Sequence, residues 1–196
     1  MELLENMSNS CWEGNISMFP ERQELLVNII KELKPKTLIE TGFNMGHSAL
    51  LICNAINEIK KTDKEYENQV INFYVFDICI HECVKPNFEV LKEYFKDTIN
   101  LYLEEGSTFD TIKVFNTLNN QLIDFVEVDG CHTYDGVRND VMNLWGKLSN
   151  NGVIYVDDYK STKIHLDEVD RGVNSIDWSN FSTDFIDGVF WAKKIN

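Results

Sequence analysis

Two stretches of this chain place carboxylates at the ends of apolar runs: Asp124-Phe125-Val126-Glu127-Val128-Asp129-Gly130-Cys131-His132-Thr133-Tyr134 and Gly152-Val153-Ile154-Tyr155-Val156-Asp157-Asp158-Tyr159. Carboxylates in such places face desolvation and mutual repulsion, and something must compensate them. A hard divalent cation does so, Mg²⁺ in particular, because it takes oxygen ligands and keeps positions open for water or substrate. Asp129, Asp157 and Asp158 are therefore candidate metal ligands. His132, three residues beyond Asp129 on the same turn, can reach a substrate hydroxyl as general base, which makes His132 and Asp129 the candidate catalytic pair. A single aspartate would more simply cap a helix or pair with Lys or Arg. Three at adjacent strand ends beside a histidine read as a site.

A second group reads as a binding loop. Glu40-Thr41-Gly42-Phe43-Asn44-Met45-Gly46-His47-Ser48 follows one apolar run and opens a helix. Gly42 permits φ > 0 at a tight turn, and Gly46 lets a ligand approach the backbone. The spacing is G-x-x-x-G, without the G-x-G-x-x-G of dinucleotide sites, so a ligand lying along the loop is favoured over a pyrophosphate. Asp77 ends the next apolar run, where an acid can accept both hydroxyls of a ribose, though it would also serve as a cap. Gly106-Ser107-Thr108 can wrap an adenine edge, and Ser107 equally suits a helix N-cap.

The elements that must position these residues alternate. Pro20 opens a helix to about Leu33, with Leu25, Leu26, Ile29, Ile30 and Leu33 on one face, and Pro35 stops it. Strands are predicted at Thr37–Thr41, Asn72–Ile78, Asn100–Glu104, Ile123–Asp129 and Gly152–Asp157. Helices fall near Ser48–Asn57, Phe88–Phe95 and Phe109–Leu118, and one more carries Val137, Val141, Leu144, Trp145 and Leu148 on its inner face. Asp187-Gly188 between Phe181–Ile186 and Val189–Lys194 signals a hairpin. The sum is an α/β fold: a Rossmann-like, doubly wound, mostly parallel seven-stranded sheet with a C-terminal antiparallel hairpin, in three α/β/α layers. Ligands bind such sheets beyond the carboxyl ends of the strands, where both groups of residues lie.

The bulk composition sets the boundaries. A length of 196 residues suits a single domain, assigned to 20–196, after a lead-in of 1–19 whose Cys11, Trp12, Ile16, Met18 and Phe19 make it a lid candidate. A net charge of −14, from 32 acidic and 18 basic residues, disfavours a nucleic-acid partner. No apolar run suits a membrane span, no basic signal region opens the chain, and five cysteines without a CxxC suit a reducing, cytoplasmic setting. Self-association is left open.

Between about Pro20 and Tyr159 the pattern resembles class I S-adenosylmethionine (SAM)-dependent methyltransferases, and within them the metal-dependent sugar O-methyltransferases of macrolide and aminocoumarin biosynthesis. The resemblance rests on Glu40-Thr41-Gly42 with Gly46 and Ser48, on Asp77, on Gly106-Ser107, and most specifically on Asp129-Gly130-x-His132-x-Tyr134 with Asp157-Asp158-Tyr159. It implies that Glu40, Gly42, Phe43, Asn44, Gly46, Ser48, Asp77, Gly106, Ser107 and Asp129 hold SAM. It further implies that Asp129, Asp157 and Asp158 hold the metal, that His132 is the base, and that the acceptor is a sugar, a polyol or another small molecule with a hydroxyl. Cys131 stands where many members have a second aspartate, which moves the base assignment onto His132. The competing readings are a nucleoside-binding module without catalysis, a nicotinamide-dependent oxidoreductase, and a zinc site built on Cys79, His81 and Cys83 with Cys131-His132.

Overall fold

In the computed structural model, which describes residues 19–118, 120–162 and 166–195, one seven-stranded sheet forms the middle layer. Its strands are β1 Thr37–Thr41, β2 Asn72–Asp77, β3 Asn100–Glu105, β4 Ile123–Val128, β5 Leu148–Tyr159, β6 Phe181–Ile186 and β7 Gly188–Lys194. Their order is β3-β2-β1-β4-β5-β7-β6. The first five are parallel, and β7 inserts antiparallel between β5 and β6. The strand order reverses at β1, which pairs with β2 on one side and β4 on the other. A crevice opens at such a switch point.

Helices cover both faces: α1 Pro20–Leu33, α2 His47–Thr62, the single turn α3 Lys64–Glu67, α4 Val84–Phe95, α5 Thr108–Leu118, α6 Tyr134–Trp145 and α7 Asp167–Asn174. One core lies under α1, α2 and α4 and contains Leu26, Ile30, Ile56, Phe73, Phe88, Phe125 and Tyr155. The other lies under α5, α6 and α7 and contains Ile39, Ile112, Val126, Val141, Ile154 and Phe190. Fully burying a side chain of this kind stabilises the fold by about 1.5–3 kcal/mol. Every residue of β1 is buried, as expected of a central strand covered on both faces.

The expected fold class stands, with two local differences. Leu148 is the first residue of β5 rather than the end of a helical face, because β5 begins four residues before Gly152. Helix α7 was not anticipated: Asp167-Glu168-Val169-Asp170-Arg171-Gly172-Val173-Asn174 sets Val169 and Val173 four apart on one buried face, but it is only eight residues long and mostly polar. In the tail, Phe181 and Phe190 are core and Phe185 is exposed. The lid expected at residues 1–19 falls, apart from Phe19, outside the described residues, as does His165. No helix among the described residues is long and apolar enough to cross a membrane.

Candidate functional site

The loop after β1 is built from within. Gly42 has φ +84°, and a Cβ there would come within 2.1 Å of the Asp129 carbonyl oxygen, so only glycine lets the ends of β1 and β4 touch. Gly46 also has positive φ, but the space in front of it is filled by the Phe43 ring, which meets Phe88 edge-on in the core. Glu40 is fully buried below the loop and accepts a hydrogen bond from Ser48 Oγ at 2.5 Å. Burial, with nearby Asp129 and Asp77, pushes the Glu40 carboxyl up to about 8.

Asp77 fixes the loop in place. Its Oδ2 accepts from the backbone N–H of Phe43 (2.8 Å) and of Asn44 (3.2 Å), and its Oδ1 accepts from Cys79 N–H (2.6 Å). A carboxylate has about four acceptor sites, so ribose hydroxyls can still bond to it. Ser107 sits at the start of α5, where its carbonyl accepts from Asp110 and Thr111.

At the β4 end, Asp129 donates its backbone N–H to the Thr41 carbonyl (2.9 Å), and Thr133 caps α6 by accepting from Gly136 N–H. The turn between them brings His132 Nε2 to 3.1 Å from Asp129 Oδ1 and 3.7 Å from Asp158 Oδ2. The hydrogen bond to Asp129 raises His132 to about 9, against the opposing effect of burial.

Asp158 reaches this point through a backbone irregularity. Successive strand residues point to opposite faces, yet Asp157 and Asp158 bind the same nitrogen, Arg22 Nη1, at 3.1 and 3.2 Å. The β5–β7 register breaks between Asp157 and Tyr159, and Asp158 has φ +61°, a bulge in the left-handed region that turns its carboxylate back towards its neighbour. Burial and the charges of Asp129 and Asp158 raise Asp157 well above the usual carboxylate range, with Arg22 acting in the opposite direction.

Asp129, His132 and Asp158 each offer one ligand atom, all within 4.8 Å of one another. Two carboxylates and an imidazole suit a divalent cation. Asp157, whose Oδ1 accepts from Arg22, is not one of this set. The sulfur-rich alternative does not form: Cys79 and Cys83 turn to the backbone oxygens of Asp77 and Asn44, and the acid–histidine group is the one cluster of its kind among the described residues.

One cavity of about 700 Å³ joins the two regions, lined by Gly42, Asn44, Asp77 and Ser107 at one end and by Asp129, Gly130, Cys131, His132 and Asp158 at the other. Phe76, Ile78, Ile80, His81, Thr108, Phe109 and Leu166 complete its wall. Glu40, Phe43, Gly46, Ser48, Gly106 and Asp157 do not line it. The residue missed in the sequence is Arg22. It lies at the head of the buried stripe Arg22-Leu26-Ile30 on α1, and a cation at i, i+4 spacing with core residues was the available signal.

A family described as a methyltransferase domain matches residues 39–159. Among solved structures, the SAH-bound methyltransferase PaMTH1 of Podospora anserina superposes with a TM-score of 0.66 at 18% identity, over 99% of this chain and 88% of that one. The O-methyltransferase TomG of Streptomyces achromogenes, solved with SAM and involved in tomaymycin synthesis, gives 0.66 at 14% identity, over 90% and 80%. An O-methyltransferase of Bacillus cereus in complex with SAH gives 0.66 at 11% identity, over 100% and 89%. At these identities the structural likeness establishes the fold. No curated protein matches the sequence.

Proposed function

The chain belongs to the methyltransferase-domain family, and from that premise we propose that it moves the methyl group of SAM to a hydroxyl oxygen of a small molecule, a sugar or other polyol first, with help from a divalent cation. The observation that carries this reading is the single cavity, which runs from Asp77 and Ser107 to Asp129, His132 and Asp158. A nucleoside at the first end brings its reactive group to the carboxylates and the imidazole at the second.

SAM supplies a methyl carbon already activated by its positive sulfur. A metal, when bound, lowers the pKa of a hydroxyl that chelates it. The protein then has to align the acceptor oxygen and remove its proton. Asp77 anchors the loop on which the nucleoside lies, and the backbone of Phe43 and Asn44 stays fixed by that carboxylate. Asp129, with Asp158 Oδ2, orients His132 and would hold the metal. His132 is 41% exposed at the cavity wall; standing beside the metal carboxylates and not itself a ligand, it would take the proton from a bound hydroxyl once it has lost its own, which in the metal-free chain happens as pH rises through about 9.

Calorimetry with SAM, followed by mass spectrometry of a polyol and catechol panel with and without chelator, tests the proposal. Binding with methyl transfer that chelator stops is the expected result. Transfer that survives chelator removes the metal from the reaction, and binding without transfer to any acceptor reduces the protein to a SAM-binding module.

A further inference from the structure

The cation that faces the carboxylates of β5 comes from outside residues 39–159, the segment that matches the methyltransferase-domain family. Arg22 is on α1, while the match begins at residue 39. Its side chain is 2% exposed, and its guanidinium is held on all sides. Nη1 donates to Asp157 Oδ1 (3.1 Å) and Asp158 Oδ1 (3.2 Å), Nη2 to Ser161 Oγ (2.9 Å), and Nε to the Asp187 carbonyl (3.2 Å). The Phe19 ring lies 3.9 Å from its central carbon. The hairpin turn also fits round it, because a Cβ on Gly188 would fall 1.7 Å from Nη2. A planar fork satisfied by four acceptors is a fixed charge, unlike the mobile ammonium of a lysine.

We propose that Arg22 is the resident counter-ion of the site: it keeps Asp157 out of the metal's ligand set and leaves only Oδ2 of Asp158 facing Asp129 and His132. The proposal rests on the metal-assisted reading above and makes it specific. Asp158 divides its two oxygens, Oδ1 to Arg22 and Oδ2 towards His132, so the guanidinium sets the direction in which the carboxylate faces the cavity. Without Arg22 a third carboxylate becomes free to bind, and affinity for hard cations rises with the number of charged ligands. Arg22 therefore tunes the site as a positioning residue, holding affinity down and ligand geometry fixed, and it ties both to the docking of α1.

The test is Mn²⁺ binding to the full chain, read from the loss of the free-ion electron paramagnetic resonance signal. R22M is expected to bind Mn²⁺ about 10- to 100-fold more tightly than the parent, within the range over which the number of charged oxygen ligands tunes affinity for hard cations. Mn²⁺ should also raise the thermal midpoint of R22M by more than that of the parent. D157N should keep saturable Mn²⁺ binding, whereas D129N should lose it; this comparison does not need R22M to fold. Binding no tighter in R22M, binding in neither R22M nor the parent, or loss in D157N equal to that in D129N would each overturn the proposal. Calorimetry of the parent with SAM keeps the two readings apart, because absent SAM binding defeats the methyltransferase reading while the Mn²⁺ comparison stands.

Discussion

The two ends of the cavity solve opposite problems. At the Asp77 end, polar groups engage one another: Asp77 accepts from three backbone N–H groups, and Glu40 is bonded to Ser48 beneath the loop. The wall there combines Gly42, Asn44, Asp77 and Ser107 with the apolar Ile78 and Ile80. At the β4–β5 end, charges face one another and are only partly balanced, with Asp129 and Asp158 converging on His132. On the reading proposed above, the first end would bind by shape and prearranged backbone, and the second would keep electrostatic capacity for a cation and for charge that develops during reaction.

This contrast predicts that substitutions will separate rate from affinity. D129N should lower methyl transfer by about 10³-fold or more, the upper range for removing one electrostatic element of an active site, while calorimetric SAM affinity stays within a few-fold. Equal losses in both quantities would erase the division between the ends. H132A should lower the maximal rate by about 10²- to 10⁴-fold, as for loss of a general base, again with affinity nearly unchanged. Full activity in that variant would take His132 out of the reaction. D77A should do the reverse and weaken SAM binding by about 10- to 100-fold, given about 1.5–3 kcal/mol for a hydrogen bond to a charged group, with a much smaller effect on the rate at saturation.

The smallest effect concerns pH, and it separates the ends by cause. Glu40 titrates at about 8 in the fold against 4.5 unfolded, because burial disfavours its charge. Its ionisation therefore costs stability progressively as pH rises from 4.5 through 8. E40Q should remove that slope and raise the thermal midpoint above pH 8 by roughly 5 °C, the scale of one to two kcal/mol in a chain of this size. His132 titrates at about 9 against 6.5, because Asp129 favours its charge. Its contribution is fully present below pH 6.5 and is lost as pH rises through 9. H132Q should therefore destabilise the metal-free chain in acid and leave it unchanged in alkali. Thermal melts across pH 5–10 on both variants measure the two slopes. A gain in acid for H132Q would reverse the assignment of partner and burial.

Much of this was legible in the chain. Local signals carried the bounds of β1 at Thr37–Thr41, β6 at Phe181–Ile186 and α1 at Pro20–Leu33: a short run covered on both faces, the Asp187-Gly188 turn, and a 3.6-residue apolar face between two prolines. Carboxylates at strand ends pointed to the candidate site, because this fold gathers those ends at one edge. Helix α7 escaped since a mostly polar segment with two buried valines is helical only through its packing on α6 and β5. The roles of the Glu40–Ser48 loop also differed from its composition: Phe43 fills the space at Gly46, and Glu40 lies below the cavity wall.

The amino-acid sequence by itself determined the order of the seven strands and of the five longer helices, the turn glycine at Gly42, and the acidic and histidine groups available for chemistry, because each follows from local spacing and residue type. Only the tertiary structure decided how those groups divide. Arg22 meets Asp157 across 135 positions of chain, and a contact of that range leaves no local periodicity to read. The left-handed bulge at Asp158 sends one oxygen to Arg22 and the other towards His132. Strand alternation alone would have pointed Asp157 and Asp158 apart; the bulge, and the buried guanidinium that rewards it, brought them together.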